Sequence, residues 1–308
     1  MKSRIVLCLV ILACSHINSF AQLEDTKQDQ LVFKLPAYIE YKLHKIKLPN
    51  GVQLQYAEQG DAGGIPVIFL HGITDSWHSF ESVLPYLPSN IHAFALSQRG
   101  HGDSDRPLSG YRPKDFADDV AAFIRMQHLK SVFIVGHSMG GVIAQKFVLD
   151  YPQLVNGVVI IGSDASFKDN PGIPEFYQEV VKLEGAINKE FMHEFQKSTL
   201  AKPIDPVYYD TLVAEGLKVP ARVFKAAFQG LMEVDYLDEL KKIDKPVLIF
   251  WGDKDSFCFR TDQEMLVKKI RNSQLMIYQG TGHALHWEEP QKFTDDLVSF
   301  INKKIIVD

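Results

Sequence analysis

The chain has 308 residues, 46% of them hydrophobic and 23% charged, with a formal net charge of -5. That composition suits one or two globular domains with a large core and excludes the disordered, collagenous and heptad-repeat classes. The acidic balance, with no basic cluster interleaved with aromatic residues, excludes a nucleic-acid surface.

At the N-terminus, Lys2 and Arg4 precede the apolar stretch Ile5 to Cys14, and a polar segment leads to Ser19-Phe20-Ala21. This reads as an export signal over residues 1–21, cleaved after Ala21 and leading to a periplasmic or secreted product. The apolar part is shorter than the roughly 20 residues a membrane helix needs, so no integral span is expected. In an alternative reading, Ile11-Leu12-Ala13-Cys14 acts as a loose lipobox and Cys14 carries a lipid anchor. Cys8 and Cys14 lie inside the signal, leaving Cys258 as the one thiol after it. No intramolecular disulfide or CxxC site can then form.

After a polar leader, Lys42 to Leu48 and Val52 to Glu58 flank Pro49-Asn50-Gly51, a hairpin signature. Continuous apolar runs follow at Pro66 to Leu70, His92 to Leu96, Ser131 to Val135, Gly157 to Ile161, Pro246 to Phe250 and Gln274 to Tyr278. Runs of this kind suit strands buried on both faces. Helical periodicity lies between most of them, at Trp77 to Leu87, Lys114 to Gln127, Gly141 to Tyr151, Asp262 to Ile270 and Pro290 to Ile301. Strand-helix alternation predicts an α/β protein with a mostly parallel sheet and right-handed crossovers.

The alternation stops over 164–244, where Pro174 to Ser198, Pro206 to Leu217 and Pro220 to Leu231 read as helices with no strand between them. This predicts an inserted helical lid between two parts of one core, 37–163 and 245–308. Phe176, Tyr177, Phe191, Phe195, Tyr208, Tyr209, Phe224 and Phe228 make the insertion rich in aromatics. Most are expected to pack the lid on the core and some to line a pocket at the junction.

The chemistry starts at Gly136-His137-Ser138-Met139-Gly140, between the apolar run to Val135 and the helical stretch from Gly141. A serine where a strand turns sharply into a helix is a nucleophile elbow, held at positive φ, with small residues two positions either side to avoid a clash. In the triad order that goes with such an elbow, an acid follows a late strand and a histidine follows the last one. Both places are filled, by Gly252-Asp253-Lys254-Asp255 and by Gly280-Thr281-Gly282-His283.

On these motifs the sequence resembles the α/β-hydrolase family, in particular its lidded esterase, lactonase and haloperoxidase-like members, over nearly the whole chain after the leader. The resemblance implies a mostly parallel eight-stranded sheet with flanking helices and a helical lid. It implies Ser138 as nucleophile, His283 as base and Asp255 as the acid, by the family's Gly-x-x-Asp spacing; Asp253 and Asp164 stay open as alternative acids. His286, near His283, is expected to be a surface or loop-packing residue. It further implies an oxyanion hole from the backbone N–H groups of Ile73, in His71-Gly72-Ile73-Thr74, and of Met139. His71 would brace that loop, and His71 and Trp77 are candidates for the substrate pocket, with Trp77 equally a core residue. A metal reading of His71, His78 and His101 lacks a helical ligand pair with an acid partner. Gln98 to Ser104 matches the family's Arg-Gly-x-Gly-x-Ser turn, except that Ser97 stands where the family often has an aspartate.

Serine at the elbow disfavours haloalkane dehalogenation and epoxide hydrolysis, which use aspartate there, and leaves acyl transfer to water. The expected function is a serine hydrolase of small or medium carboxylic esters or lactones, working through an acyl-enzyme with no cofactor or metal. The alternatives are a carbon-carbon bond hydrolase and a slow-turnover ligand-binding sensor.

Overall fold

The computed structural model describes residues 41–168, 170 and 172–305. The export signal read in residues 1–21 lies outside the described residues. One sheet holds β1 (Lys42–Lys47), β2 (Gln53–Gln59), β3 (Ile65–Leu70), β4 (Ile91–Ser97), β5 (Val132–His137), β6 (Val155–Ile161), β7 (Val247–Gly252) and β8 (Ser273–Tyr278). The order across it is β1-β2-β4-β3-β5-β6-β7-β8, antiparallel at β1/β2 and β2/β4 and parallel from there on. The β1/β2 hairpin closes where Gly51 takes φ 89° and the Asn50 side chain accepts the Val52 N–H at 3.0 Å, the local bonding for which asparagine and glycine are favoured in turns.

The helices are α1 (Pro113–Met126), α2 (Met139–Asp150), α3 (Gly172–Val180), α4 (Lys189–Ser198), α5 (Pro206–Leu217), α6 (Ala221–Met232), α7 (Arg260–Lys269), α8 (Leu285–Glu288) and α9 (Pro290–Ile305). Among the described residues no helix is long and apolar enough to cross a membrane. Side chains alternate across each strand, so the unbroken apolar runs feed two cores. Ile68 and Leu70 pack with Phe123 of α1 and Phe147 of α2, while Val67 and Phe69 pack on the other face with Trp77, Phe80 and α9 residues Phe293 and Leu297. Each such side chain buried contributes about 1.5–3 kcal/mol before chain entropy is counted.

Two expected helices come out differently. Trp77 to Leu87 forms two short 3-10 turns, Trp77–Phe80 and Leu84–Tyr86. Pro85 and Pro88 lack the N–H a continuous helix needs, yet Trp77, Phe80, Val83, Leu84 and Leu87 are all buried. The stretch Pro174 to Ser198 divides into α3 and α4. Gly185 at φ 61° and a bridge from Ala186 to Pro220 redirect the chain, and Asn188 restarts it by accepting the Phe191 N–H at 2.7 Å.

The helices α3 to α6 all fall between β6 and β7, which are paired neighbours in the sheet. The connection leaves and returns at one point, where Ser166 bridges Asp235 and the Tyr236 N–H donates to the Ala165 carbonyl at 2.8 Å.

Candidate active site

Ser138 is the single residue between β5 and α2, with φ 51° and ψ -115°. A non-glycine residue held there stores about 1–3 kcal/mol of strain. The neighbouring glycines make it feasible: a Cβ at Gly136 would fall 2.1 Å from the Gly140 carbonyl oxygen, and one at Gly140 would fall 2.1 Å from that of Leu70. The Ser138 N–H donates to the Ile161 carbonyl at 2.9 Å, and the Ser138 carbonyl accepts the Gly141 N–H at 2.9 Å and the Ser163 hydroxyl at 2.8 Å. The elbow is therefore bonded on both sides while Ser138 itself stays half-buried between buried neighbours. Met139 opens α2, so its N–H has no acceptor within the helix and lies at the positive end of the helix dipole.

The loop after β3 carries Thr74 at φ 71°. His71 is fully buried; its Nε2 accepts the Gln98 N–H at 3.0 Å and its Nδ1 lies 2.7 Å from the Gly72 carbonyl oxygen. An amide N–H can only donate, so Nε2 is the bare nitrogen and Nδ1–H donates to Gly72. Burial, with His101 beside it, holds the His71 pKa well below the usual histidine value. His71 is thus a neutral, fully buried brace of this loop. Trp77 takes the core place of its two readings. It is 1% exposed, packs edge-on to Tyr41 at 4.8 Å and belongs to the core under the sheet.

The loops after β7 and β8 meet closely: a Cβ at Gly252 would fall 2.3 Å from the Gly282 carbonyl oxygen. This apposition sets Asp255 against His283, with Oδ2 2.9 Å and Oδ1 3.0 Å from His283 Nδ1. Asp255 Oδ1 also accepts the backbone N–H groups of Phe257 at 2.8 Å and Cys258 at 3.0 Å. A carboxylate so held fixes the imidazole ring and favours the tautomer with the proton on Nδ1, an arrangement in which Nε2 can accept one. The ring of His283 lies 4.9 Å from that of His137, the residue before Ser138.

The alternative acids have other partners. Asp253 Oδ1 accepts the Gly280 N–H at 2.6 Å, bracing the loop. Asp164 is bonded by Gln263 at 3.3 Å; burial and the nearby Asp262 and Asp255 push its pKa well above the usual carboxylate range. Of the two places expected for His286, it takes the packed one: it is fully buried, with Nε2 3.3 Å from the Ser79 hydroxyl and its pKa lowered by burial to about 3. Asp255, Cys258 and His283 present ligand atoms within 4.8 Å of one another, the set among the described residues able to hold a metal ion. Burial pushes the Cys258 thiol well up, which opposes the thiolate a metal would need. His78 pairs with Glu81 at 2.6 Å, while the tilted rings of His71 and His101 lie 5.0 Å from each other.

The aromatic residues of α3 to α6 form a file leading to the histidine. Phe176 contacts Phe191, Phe195, Phe224 and Phe228, Phe195 contacts Phe257 at 6.1 Å, and Phe257 lies 4.9 Å from the His283 ring. Sequence reasoning missed Phe257, and also Asp75 and Gln196. Asp75 had a signal, an acid three residues past Gly72 in the loop after β3, whereas nothing local marks Gln196. The Arg-Gly-x-Gly-x-Ser turn is held without an aspartate at 97: Arg99 forks onto Asp119 with two bonds of 2.6 Å, and the Ser104 hydroxyl donates to the Ser97 carbonyl at 2.6 Å.

Comparison with known proteins agrees with this architecture. A family model described as alpha/beta hydrolase fold matches residues 65–290. An AB hydrolase superfamily protein of Bacillus subtilis is 29% identical over 84% of this chain and 99% of its own length. A bifunctional esterase/perhydrolase of Acinetobacter calcoaceticus is 26% identical over 82% of this chain and 97% of its own. In three dimensions, the crystal structure of an esterase from Exiguobacterium antarcticum is similar with a TM-score of 0.75, at 24% identity, covering 84% of this chain and 98% of that one.

Proposed function

The chain belongs to the alpha/beta hydrolase fold family, and from that premise we propose that it is a serine hydrolase of small or medium carboxylic esters or lactones, acting through an acyl-enzyme on Ser138. The observation that carries the reading is the Asp255–His283 pair, 2.9 Å apart and set beside the strained elbow that presents Ser138.

In the proposed reaction, Ser138 Oγ attacks the substrate carbonyl carbon as His283 Nε2 takes the hydroxyl proton. The carbonyl oxygen becomes an oxyanion facing the N–H groups of Ile73 and Met139, and each such donor typically contributes about 3–4 kcal/mol to transition-state stabilisation. Asp255 stays ionised and stabilises the imidazolium. When the tetrahedral species collapses, the carbon–oxygen bond to the alcohol breaks, and His283 gives its proton to that oxygen. Water then attacks the acyl-enzyme by the same steps and releases the acid. The segment 164–244 serves as a lid whose phenylalanines face the acyl side, and the residue 1–21 signal directs export.

The test is fluorophosphonate labelling of wild type and Ser138→Ala, followed by turnover of p-nitrophenyl esters of increasing acyl length. Wild type is expected to label stoichiometrically and the variant not at all. Equal labelling of the two proteins would refute the mechanism.

A further inference from the structure

Behind the oxyanion loop lies a second buried acid that the steps above do not use. Asp75 is 3% exposed. Its Oδ1 accepts a bond from Gln196 Nε2 of α4 at 3.0 Å, and its Oδ2 lies 3.9 Å from His137 Nδ1. A Cβ at Gly72 would fall 2.9 Å from that Oδ2, so the carboxyl packs directly on the backbone preceding Ile73. From Asp75 a file of rings runs through the site: His137 lies 4.9 Å from His283 and 4.6 Å from His286.

We propose that Asp75 is a proton-holding positioning residue of this site: protonated, it supports the oxyanion loop as a neutral group, and ionised, it puts a negative charge behind that loop and turns hydrolysis down at alkaline pH. The inference rests on the serine-hydrolase reading. Its physical basis is charge placement. The transition state creates an oxyanion beside Ile73, and a like charge in a dry environment next to that loop opposes it.

The groups facing Asp75 come from every packed element: the Gly72 N–H on its own loop, Ser79 on the following turn, His137 of β5, Gln196 of α4, Tyr208 of α5 and His283 after β8, with His286 of α8 beyond Ser79. Burial raises the Asp75 pKa to about 7, against the opposing pull of Gln196, His283, Gly72 and Ser79. His137 supplies no compensating cation, because burial, with His286 and His283 nearby, lowers its own pKa well below the usual value. The structure thus sets a neutral imidazole, not an imidazolium, against the Asp75 carboxyl.

The test is the pH profile of kcat on p-nitrophenyl acetate. Wild type is expected to lose about tenfold on the alkaline side, Asp75→Asn to show no such fall, and Gln196→Leu, which removes a donor favouring the charged carboxyl, to fall at higher pH than wild type. An alkaline fall unchanged in Asp75→Asn would overturn the proposal. A readout independent of turnover is the thermal midpoint from about pH 5 to 8 for Ser138→Ala and for Ser138→Ala with Asp75→Asn. Its decline with rising pH should be steeper in the single variant than in the double. Identical profiles refute the role of Asp75 and leave the hydrolase reading standing. Retained turnover in Ser138→Ala refutes that reading, while the melts still report on Asp75.

Discussion

Replacing Asp119 with alanine is expected to cost about 3–5 kcal/mol, the range for breaking a buried ion pair by removing one partner. The structure puts this pair in that class. The Arg99 and Asp119 side chains are 8% and 4% exposed, and Arg99 Nε and Nη2 each donate to the carboxylate at 2.6 Å. Asn50 Nδ2 donates to the same carboxylate at 2.7 Å, so the substitution removes that acceptor too and leaves a buried guanidinium with the Gly110 carbonyl at 2.9 Å as its hydrogen-bond acceptor among the described residues. Against a total stability of about 5–15 kcal/mol, the loss is large. Urea unfolding at pH 7, read by fluorescence and circular dichroism, measures it. A companion protein, Arg99→Met with Asp119→Leu, removes both charges and is expected to recover more than half of the deficit. A loss below about 1 kcal/mol in Asp119→Ala would refute the reasoning, because it would mean that water reaches the guanidinium.

The buried histidines give a pH prediction of definite sign. Burial lowers His286 to about 3 and His101 to about 4, so the unfolded chain binds these protons more readily; their contribution is intact above about pH 6.5 and is lost as pH falls, by about 1.4 kcal/mol per pH unit per histidine. Asp75 acts in the opposite sense, its folded pKa of about 7 lying above the unfolded value, so its contribution is lost as pH rises towards 7. The measurement is therefore a difference, with urea-derived stability at pH 7 minus that at pH 5 being smaller in His286→Asn than in wild type, and an equal difference would contradict the account. Phe257→Ala should raise KM about tenfold for aromatic or long acyl esters and leave acetate esters nearly unchanged; a uniform KM change across chain lengths would remove Phe257 from the acyl path.

Much of this was readable along the chain because the signals are local. The Asn50-Gly51 turn, the apolar runs and the Gly-x-Ser-x-Gly elbow each depend on residues within a few positions, and β1 to β8 and Ser138 follow from them. Asp255 and Asp253 differ by two positions in one loop, and only the apposed loops show which carboxyl meets Nδ1 of His283. Long-range burial defeated the rest. His286 could be a surface or a loop-packing histidine until Phe80 and His137 are seen to close over it, Trp77 could face a pocket or the core until Tyr41 is seen against it, and Gln196 meets Asp75 across 121 positions of chain. The Trp77 to Leu87 spacing marked a buried face correctly but not its hydrogen-bonding pattern, which Pro85 and Pro88 altered.

The junction at Ser166 and Asp235 has a consequence for how such proteins diversify. Since β6 and β7 pair directly, the helices between them act as one closed excursion of about 70 residues between Ser166 and Asp235, whose closure entropy is about 4 kcal/mol and grows only logarithmically with length. A longer, shorter or unrelated excursion anchored at the same two residues would alter that figure by only tenths of a kcal/mol. On the proposed reading of 164–244 as a lid, grafting that segment from a distant homologue onto this sheet would exchange substrate range as a single cassette, provided the graft keeps a partner for Asp75 in the place of Gln196.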